Sequence, residues 1–188
     1  MLKRSLVTLL SIAVAQVAMA TDAASKFFPP KIPMGEKSLV LNGTGYHHFL
    51  FFKIYEAGLY LPKKATKTAE IHRLGAPKRA RILMLDAVSA KNFVLVLRDG
   101  LVANTPKNKI DRHYEEIVHF FEMMEGLGHL VEGDLVDLDF SDGQTSIRLN
   151  HRPIVTNLGG REFYEIILNI WLGEKPLDEG LKRDLLAS

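Results

Sequence analysis

One stretch of the chain combines polar side chains that could do chemistry with the apolar residues of a β-strand. Residues 43–62 read Gly-Thr-Gly-Tyr-His-His-Phe-Leu-Phe-Phe-Lys-Ile-Tyr-Glu-Ala-Gly-Leu-Tyr-Leu-Pro. Phe, Ile, Tyr and Leu favour a strand, which Pro62 would end. Side chains alternate between the two faces of a strand. One face is therefore expected to carry His47, Phe49, Phe51, Lys53 and Tyr55.

Such a face could form one wall of a cleft for an amphiphilic ligand. Phe49 and Phe51 would contact an apolar tail or ring, while His47 and Tyr55 would hydrogen-bond a polar head. The alternative is an ordinary core strand, in which both polar groups are satisfied and Lys53 extends to solvent. The residues by themselves leave both interpretations open.

The histidines do not have the spacing of a metal site. His47 and His48 are adjacent, so in a strand they would point to opposite faces. His113 and His119 are six residues apart, which does not place them on one face of a helix. The sequence contains no cysteine and no His-Glu-x-x-His motif. We therefore expect no metal site and no cofactor.

Other catalytic patterns are equally incomplete. There is no Gly-x-Ser-x-Gly motif for a nucleophilic serine. Gly159-Gly160 precedes a helical pattern but lacks the lysine of a phosphate-binding loop. Asp137 and Asp139 share one face of a predicted hairpin, and we interpret that face as solvated.

The first 20 residues have the pattern of a cleaved export signal. Lys3 and Arg4 precede an apolar run over residues 6–17, and Ala18-Met19-Ala20 predicts cleavage after Ala20. Lys3 and Arg4 are two of 24 basic residues, so the remaining 22 equal the 22 acidic residues. A neutral mature chain has no basic field for nucleic acid or an anionic membrane. We expect a periplasmic protein without an integral membrane segment after cleavage.

The remaining pattern predicts one α+β domain over residues 38–188, preceded by an extended arm over residues 21–37. Asn42–Gly45 is interpreted as a turn, Asp142-Gly143 as a hairpin turn, and Ala57-Gly58 as a possible bulge. Predicted strands cover residues 38–41, 46–61, 78–87, 134–141, 145–150 and 153–157. Predicted helices cover residues 66–74, 89–103, 110–125, 161–172 and 178–186. Because strands and helices do not alternate, we expect an antiparallel sheet with helices on one face.

Four segments resemble the bacterial chalcone isomerase-like family. They are Leu41-Asn-Gly-Thr-Gly45 with Phe51–Pro62, then Ile170-Trp-Leu-Gly-Glu-Lys-Pro-Leu-Asp178, and Leu181-Lys-Arg-Asp-Leu-Leu186. The resemblance covers essentially the whole chain after the leader. It implies an exported protein with the chalcone isomerase fold, an open-faced β-sandwich in which helices cover one side of a large antiparallel sheet and leave a cleft.

The resemblance does not extend to the isomerase's catalytic residues. That enzyme class uses an arginine after the glycine turn, where this chain has His47, and a threonine on the next strand, where it has Tyr55. The helical segment 89–102 lacks the Tyr-x-x-Lys-x-x-x-Asn pattern. A neutral imidazole also lacks the fixed charge and forked donors of an arginine.

The fatty-acid-binding branch of the family is similar at one position. It holds a carboxylate with a tyrosine and an arginine, and Tyr55 fits the tyrosine's place while Arg98 is a candidate arginine. We therefore predict a non-catalytic binding protein for a fatty acid or similar small amphiphile. The alternative is an intramolecular lyase or isomerase acting on a small phenolic enone, with Tyr55 and His47 as acid and base.

Overall fold

The computed structural model describes residues 26–187, so the predicted leader lies outside the described residues. The chain divides into two compact units, the first ending at Pro30 and the second beginning at Lys31. In the first unit, the described residues 26–30 contain a short helical segment at Lys26 and Phe27. The second unit carries the sheet, the helices and the candidate site.

Seven antiparallel strands form the main sheet in the order β1-β2-β3-β4-β7-β8-β9. Two short strands, β5 and β6, pair with each other in a small second sheet. The strands are β1 Lys31–Met34, β2 Lys37–Phe49, β3 Phe52–Leu61, β4 Lys78–Met84, β5 Val88–Ser89, β6 His129–Leu130, β7 Leu135–Ser141, β8 Gln144–Leu149 and β9 Arg152–Val155. The predicted hairpin turn at Asp142-Gly143 is confirmed, because it joins the paired strands β7 and β8.

The second unit has six helices within its described residues, and helices cover one face of the sheet. They are α1 Thr68–Arg73, α2 Ala90–Asn104, α3 Lys107–Arg112, α4 Tyr114–Glu125, α5 Arg161–Leu172 and α6 Glu179–Leu185. Ser89 caps α2 by accepting a hydrogen bond from the Asn92 amide. The core lies between the helices and the apolar side chains of β3, β4 and β7. The predicted α+β class and antiparallel sheet are confirmed.

The prediction of a turn at Asn42–Gly45 is wrong, since β2 includes these residues. Asn42 is instead the extra residue of a bulge, because Leu41 pairs with Tyr60 and Gly43 pairs with Leu59. The bulge turns the buried Asn42 amide toward the end of α6. There its Nδ2 donates to the carbonyl oxygens of Ala65 and Leu185, at 2.9 and 2.7 Å.

The glycines beside Asn42 allow α6 to approach the sheet closely. A Cβ atom on Gly43 would lie 2.0 Å from the carbonyl oxygen of Asp184, and one on Gly45 would lie 2.6 Å from the Asp184 Cβ. Any larger residue would push the helix away. The Asn-Gly-Thr-Gly segment and the C-terminal Leu181–Leu186 segment are therefore two halves of one packing contact.

The single long strand predicted over residues 46–61 is also wrong. The chain reverses at Leu50 and Phe51, so that β2 and β3 form a hairpin in which His47 lies opposite Tyr55. A second bulge falls at Ile54, while pairing is regular at the predicted position, Ala57-Gly58. Within the predicted extended arm over residues 21–37, Lys31–Met34 forms the edge strand β1, while residues 21–25 lie outside the described residues.

The sheet face opposite the helices carries a ladder of ion pairs rather than a solvated surface. Arg79 lies opposite Asp139, and Arg81 lies opposite Asp137, on the neighbouring strands β4 and β7. Each arginine donates two hydrogen bonds to its carboxylate, at 2.6 and 2.7 Å and at 2.7 and 2.9 Å. Both aspartates are at most 2% exposed. The expectation of two solvated aspartates is therefore wrong.

Candidate functional site

Tyr55 stands at the centre of a small polar cluster inside the apolar core. Its side chain is 2% exposed, and its hydroxyl oxygen accepts a hydrogen bond from Trp171 Nε1 at 2.9 Å. Within the described residues no acceptor is found for the hydroxyl proton. Burial raises the pKa of Tyr55 far above that of a free tyrosine, so the phenol stays protonated. The site therefore contains a buried donor that is free to bind an acceptor.

His47 lies directly across the hairpin from Tyr55, and the two rings stack with centroids 4.8 Å apart. His47 Nδ1 is buried, makes no hydrogen bond within residues 26–187, and lies 3.7 Å from Asp178 Oδ2. Burial lowers the pKa of His47, and the neighbouring Asp178 opposes that shift only in part. The imidazole is therefore mainly neutral at neutral pH and could donate or accept at this nitrogen.

Three elements hold this cluster in place. Asp178 caps α6 by accepting a hydrogen bond from the Leu181 amide at 3.0 Å, which also fixes its carboxylate near His47. The turn before it is closed by a bond from the Leu177 amide to the Ile170 carbonyl. Phe93 of α2 meets the Tyr55 ring edge-on at 5.8 Å. The C-terminal motif with Trp171 and Asp178 thus completes the site that β2 and β3 begin.

The space beside the cluster is almost closed. A gap of about 10 Å³, the size of one water molecule, lies between the sheet and α5 and α6. Small residues make the sheet side of this gap shallow, and its lining is Ala57, Gly58, Leu59, Ala80, Ile82, Leu168, Trp171 and Leu185. A ligand larger than water can enter only if a helix or a side chain moves.

Three of the predicted ligand-binding residues are not beside Tyr55. Phe49 and Phe51 are 64% and 95% exposed at the end of the hairpin, and Lys53 is exposed with its ammonium 3.6 Å from the centre of the Tyr46 ring. The reversal of the chain at Leu50 and Phe51 is the reason. It brings His47 and Tyr55 together and directs the residues between them away from the core.

Arg98, the candidate carboxylate partner, also lies elsewhere. Its guanidinium is 3.6 Å from Glu125 and 5.1 Å from the centre of the Phe121 ring, both on α4. These contacts place it along a groove of about 520 Å³ between α2 and α4. The structure therefore joins His47 with Tyr55, as the sequence predicts, but gives Arg98 different partners.

A buried lysine on the same sheet face was not anticipated. Lys78 is 0% exposed, and its Nζ makes no hydrogen bond within the described part of the chain. Burial lowers the pKa of Lys78 to about 8, assisted by Arg161 and opposed by Glu165. The sequence could have indicated this burial. On a strand, Lys78 lies on the same face as the apolar residues Ala80, Ile82 and Met84.

Residues 26–187 contain neither a metal-ligating cluster nor a membrane-spanning helix. No group of three or more metal-ligating side chains occurs there. None of the helices in this range has the length and hydropathy needed to cross a bilayer.

Comparison with known proteins identifies the family. The chalcone isomerase-like family matches residues 20–187, so the chain belongs to the chalcone isomerase-like family. No curated protein matches the chain significantly. Among solved structures, the fold is similar to the Arabidopsis thaliana fatty-acid binding protein AtFAP1, with a TM-score of 0.60 and 16% identity, over 85% of this chain and 90% of that one. At that identity, the likeness concerns the fold.

Proposed function

We propose that this protein is an exported, non-catalytic binding protein for a fatty acid or a similar small amphiphile. The ligand lies between the sheet and the helices, with its polar end near Tyr55 and His47. The family and a fold shared with a fatty-acid binding protein support the ligand class. The leader-like pattern before Ala20 supports export.

The observation that carries the proposal is the pair of unmatched polar atoms in the cluster. Tyr55 has a hydroxyl proton without an acceptor, and the stacked His47 has a buried Nδ1 without a hydrogen bond, both within the described residues. An unsatisfied buried polar group costs about 1–3 kcal/mol. A carboxylate or hydroxyl group of a ligand could accept from Tyr55 and bond His47, and would relieve both costs.

Binding requires the closed gap to open. Pockets for small ligands usually enclose at least about 300 Å³, far more than the present gap of about 10 Å³. The side chains that must separate are Leu168 and Trp171 of α5 and Leu185 of α6, on one side, and the small residues of β3 and β4 on the other. We therefore propose a ligand-dependent displacement of α5 or α6 from the sheet.

The electrostatics favour binding over the lyase alternative. Burial raises the pKa of Tyr55 and lowers the pKa of His47, so both side chains stay neutral near pH 7. A neutral, weakly acidic phenol is a suitable hydrogen-bond donor, but it is a poor acid for activating an enone. The lyase alternative therefore has no specific observation in its favour.

Ligand binding is tested with full-length protein purified under mild conditions. Native mass spectrometry is expected to detect bound lipid, and titration with a long-chain fatty acid should show saturable binding. Tyr55→Phe is expected to weaken fatty-acid binding about tenfold, because it removes one hydrogen bond to a charged group.

Tyr164→Phe is the matched control for this experiment, since Tyr164 is equally buried but lies on α5 and hydrogen-bonds the Leu138 carbonyl at 3.5 Å. Its affinity for the fatty acid should equal that of the wild type. Wild-type protein that is free of lipid and shows no saturable binding would contradict the proposal.

Export has its own test. When the full gene product is expressed in a bacterium, fractionation should recover the protein in the periplasm, and N-terminal sequencing should begin at Thr21. Cytoplasmic protein with an intact N-terminus would refute export without affecting the ligand proposal.

A further inference from the structure

The end of the β2–β3 hairpin presents a run of exposed apolar side chains, which we call the hairpin tip. The tip consists of Phe49, Leu50, Phe51 and Phe52, which are 64%, 75%, 95% and 64% exposed. Soluble proteins rarely expose several large apolar residues side by side unless the patch contacts a partner or a membrane. The tip is therefore a candidate interaction surface.

The backbone conformation of Leu50 indicates that the apolar residues of this turn serve a purpose other than stability. Leu50 has φ of 56°, a left-handed conformation that glycine and asparagine adopt most easily. Tight hairpin turns usually place such residues there. The chain instead places a bulky apolar residue at a strained position that is 75% exposed. Stability alone does not favour this choice, so another requirement for leucine is indicated.

The tip also projects beyond the rest of the sheet. Pairing of β4 with β3 begins at Tyr55, and pairing of β1 with β2 involves only residues 37–40. Among the described residues, the backbone hydrogen bonds from outside the hairpin that lie nearest the tip are donated by the Leu85 and Asp86 amides to the Ile54 carbonyl, at 2.9 and 3.3 Å. The three residue steps from Ile54 to Phe51 span roughly 10 Å at the rise of a strand. A flat surface could therefore meet the tip first.

The side chains next to the tip are basic rather than acidic. Residues 46–53 contain no carboxylate. The acidic residues Glu56 and Asp86 lie further from the tip, at or beyond the level of Ile54. Lys53 and His48 lie opposite each other just behind the apolar residues. Tyr46 follows, with the Lys53 ammonium over its ring at 3.6 Å. The order from the tip inward is thus apolar, cationic, then aromatic. This arrangement matches the hydrocarbon core of a lipid bilayer followed by its headgroup region, where anionic phosphates attract cations and where tyrosine rings are enriched.

We propose that the hairpin tip inserts into the surface of a bilayer containing anionic phospholipids, through local contacts and not through a basic field of the whole chain, which is neutral after Ala20. Phe51 and Phe49 enter the acyl region, while Lys53 and His48 contact the phosphates. A second copy of the chain fits less well as the occupant, because tip-to-tip contact would bring two Lys53 side chains together without a carboxylate from residues 46–53. The inference does not depend on a fatty acid being the ligand of the Tyr55 site.

Vesicle flotation tests the insertion directly. Wild-type protein should bind vesicles of phosphatidylglycerol and phosphatidylcholine, and binding to pure phosphatidylcholine should be at least fivefold weaker. Phe51→Ser should lower binding to the mixed vesicles at least tenfold, and Lys53→Glu at least threefold. Both side chains are exposed, so the variants should fold normally.

Matched controls come from exposed residues away from the hairpin. Val131→Ser removes a half-exposed apolar side chain, and Lys63→Glu reverses an exposed lysine at the other end of β3. Both variants should bind vesicles like the wild type. Wild-type protein that does not float with mixed vesicles, or equal binding by Phe51→Ser and Val131→Ser, would overturn the proposal.

A fluorescent probe distinguishes insertion from other uses of the tip. In Phe51→Trp, the new indole is exposed, whereas the chain's own Trp171 is buried. Mixed vesicles should shift the emission of this variant to shorter wavelength, and lipids brominated on the acyl chain should quench it. Concentration-dependent dimerisation that Phe51→Ser abolishes, with no such shift or quenching, would assign the tip to a second copy and overturn membrane insertion.

Discussion

The buried polar groups on the two faces of the sheet differ in whether they have hydrogen-bond partners. On the outer face, Arg79 and Arg81 match Asp139 and Asp137 with paired hydrogen bonds. On the helix-covered face, Lys78 Nζ and His47 Nδ1 are buried without a hydrogen bond within the described residues. Both faces belong to the same strands, so the difference is one of partners rather than of burial.

This difference distinguishes polar groups that stabilise the fold from polar groups that could bind a ligand. A matched ion pair adds no capacity for a ligand, because its donors and acceptors are already used. An unmatched group lowers stability until a partner arrives, and such groups concentrate at functional sites. Mutation of the outer ladder is therefore expected to lower stability, whereas replacement of an unmatched inner group should raise stability or, at Tyr55 and His47, weaken ligand binding.

The largest expected effect is the loss of one member of the outer ladder. Asp137→Ala leaves the buried Arg81 guanidinium without the carboxylate that accepts its two hydrogen bonds. Breaking a buried pair in this way lowers the free energy of unfolding by about 3–5 kcal/mol. Urea denaturation followed by circular dichroism would measure it.

Asp111→Ala is the control for that experiment, because it removes an exposed ion pair with Lys107 at 2.6 Å. Its cost should stay below about 1 kcal/mol. If Asp137→Ala costs no more than this control, the outer ladder is not a structural element and the contrast between the two faces fails.

A smaller effect of opposite sign is expected on the helix-covered face. Lys78→Met replaces a fully buried ammonium with an apolar side chain of similar length. The ammonium lacks a hydrogen bond within the described residues. The free energy of unfolding of the variant should therefore be about 1–2 kcal/mol higher than that of the wild type at pH 7. A loss of stability in Lys78→Met would show that the lysine is matched after all.

The pH dependence of Lys78 gives a sharper form of the same prediction. Its pKa is about 8 in the folded protein and 10.5 in a free lysine, so between these values the unfolded chain binds more protons. Wild-type stability should therefore rise relative to Lys78→Met as the pH increases from about 8 to 10.5. Below about pH 8, the stability of Lys78→Met exceeds that of the wild type by its full amount. Lys63→Met, at an exposed lysine, should show no such trend.

Much of the fold could be predicted from hydrophobic periodicity. The helix predicted over residues 161–172 is confirmed as α5, and the predicted strands 134–141 and 145–150 correspond closely to β7 and β8. These segments have strong, regular patterns between glycine or Asp-Gly signals. The predicted helix over residues 110–125 is in fact divided at His113 into α3 and α4.

The errors arise where tertiary contacts outweigh local preference. Asn-Gly-Thr-Gly has the composition of a turn, but the approach of α6 and the hydrogen bonds of Asn42 make it a bulged strand. Leu50-Phe51 has no turn signal, yet the chain reverses there. Asp137 and Asp139 look like solvated residues until the register places an arginine opposite each one.

Only part of the candidate site could therefore be predicted from the sequence. His47 and Tyr55 come together, but through a hairpin pairing rather than through alternation along one strand. Trp171 and Asp178 are more than 100 residues away in sequence, and only the fold shows that they contact Tyr55 and His47. The resemblance singled out their segment, while no local rule gave them a role.

The amide of Asn42 also sets an order of events during folding. It bonds the Leu185 carbonyl across a separation of 143 residues. This bond can form only after α6 has been synthesised, long after β2 has left the ribosome. The second strand of the sheet must therefore wait, incompletely packed, for α6, and such long-range closure slows folding. Nascent chains would need protection along that strand until α6 is in place.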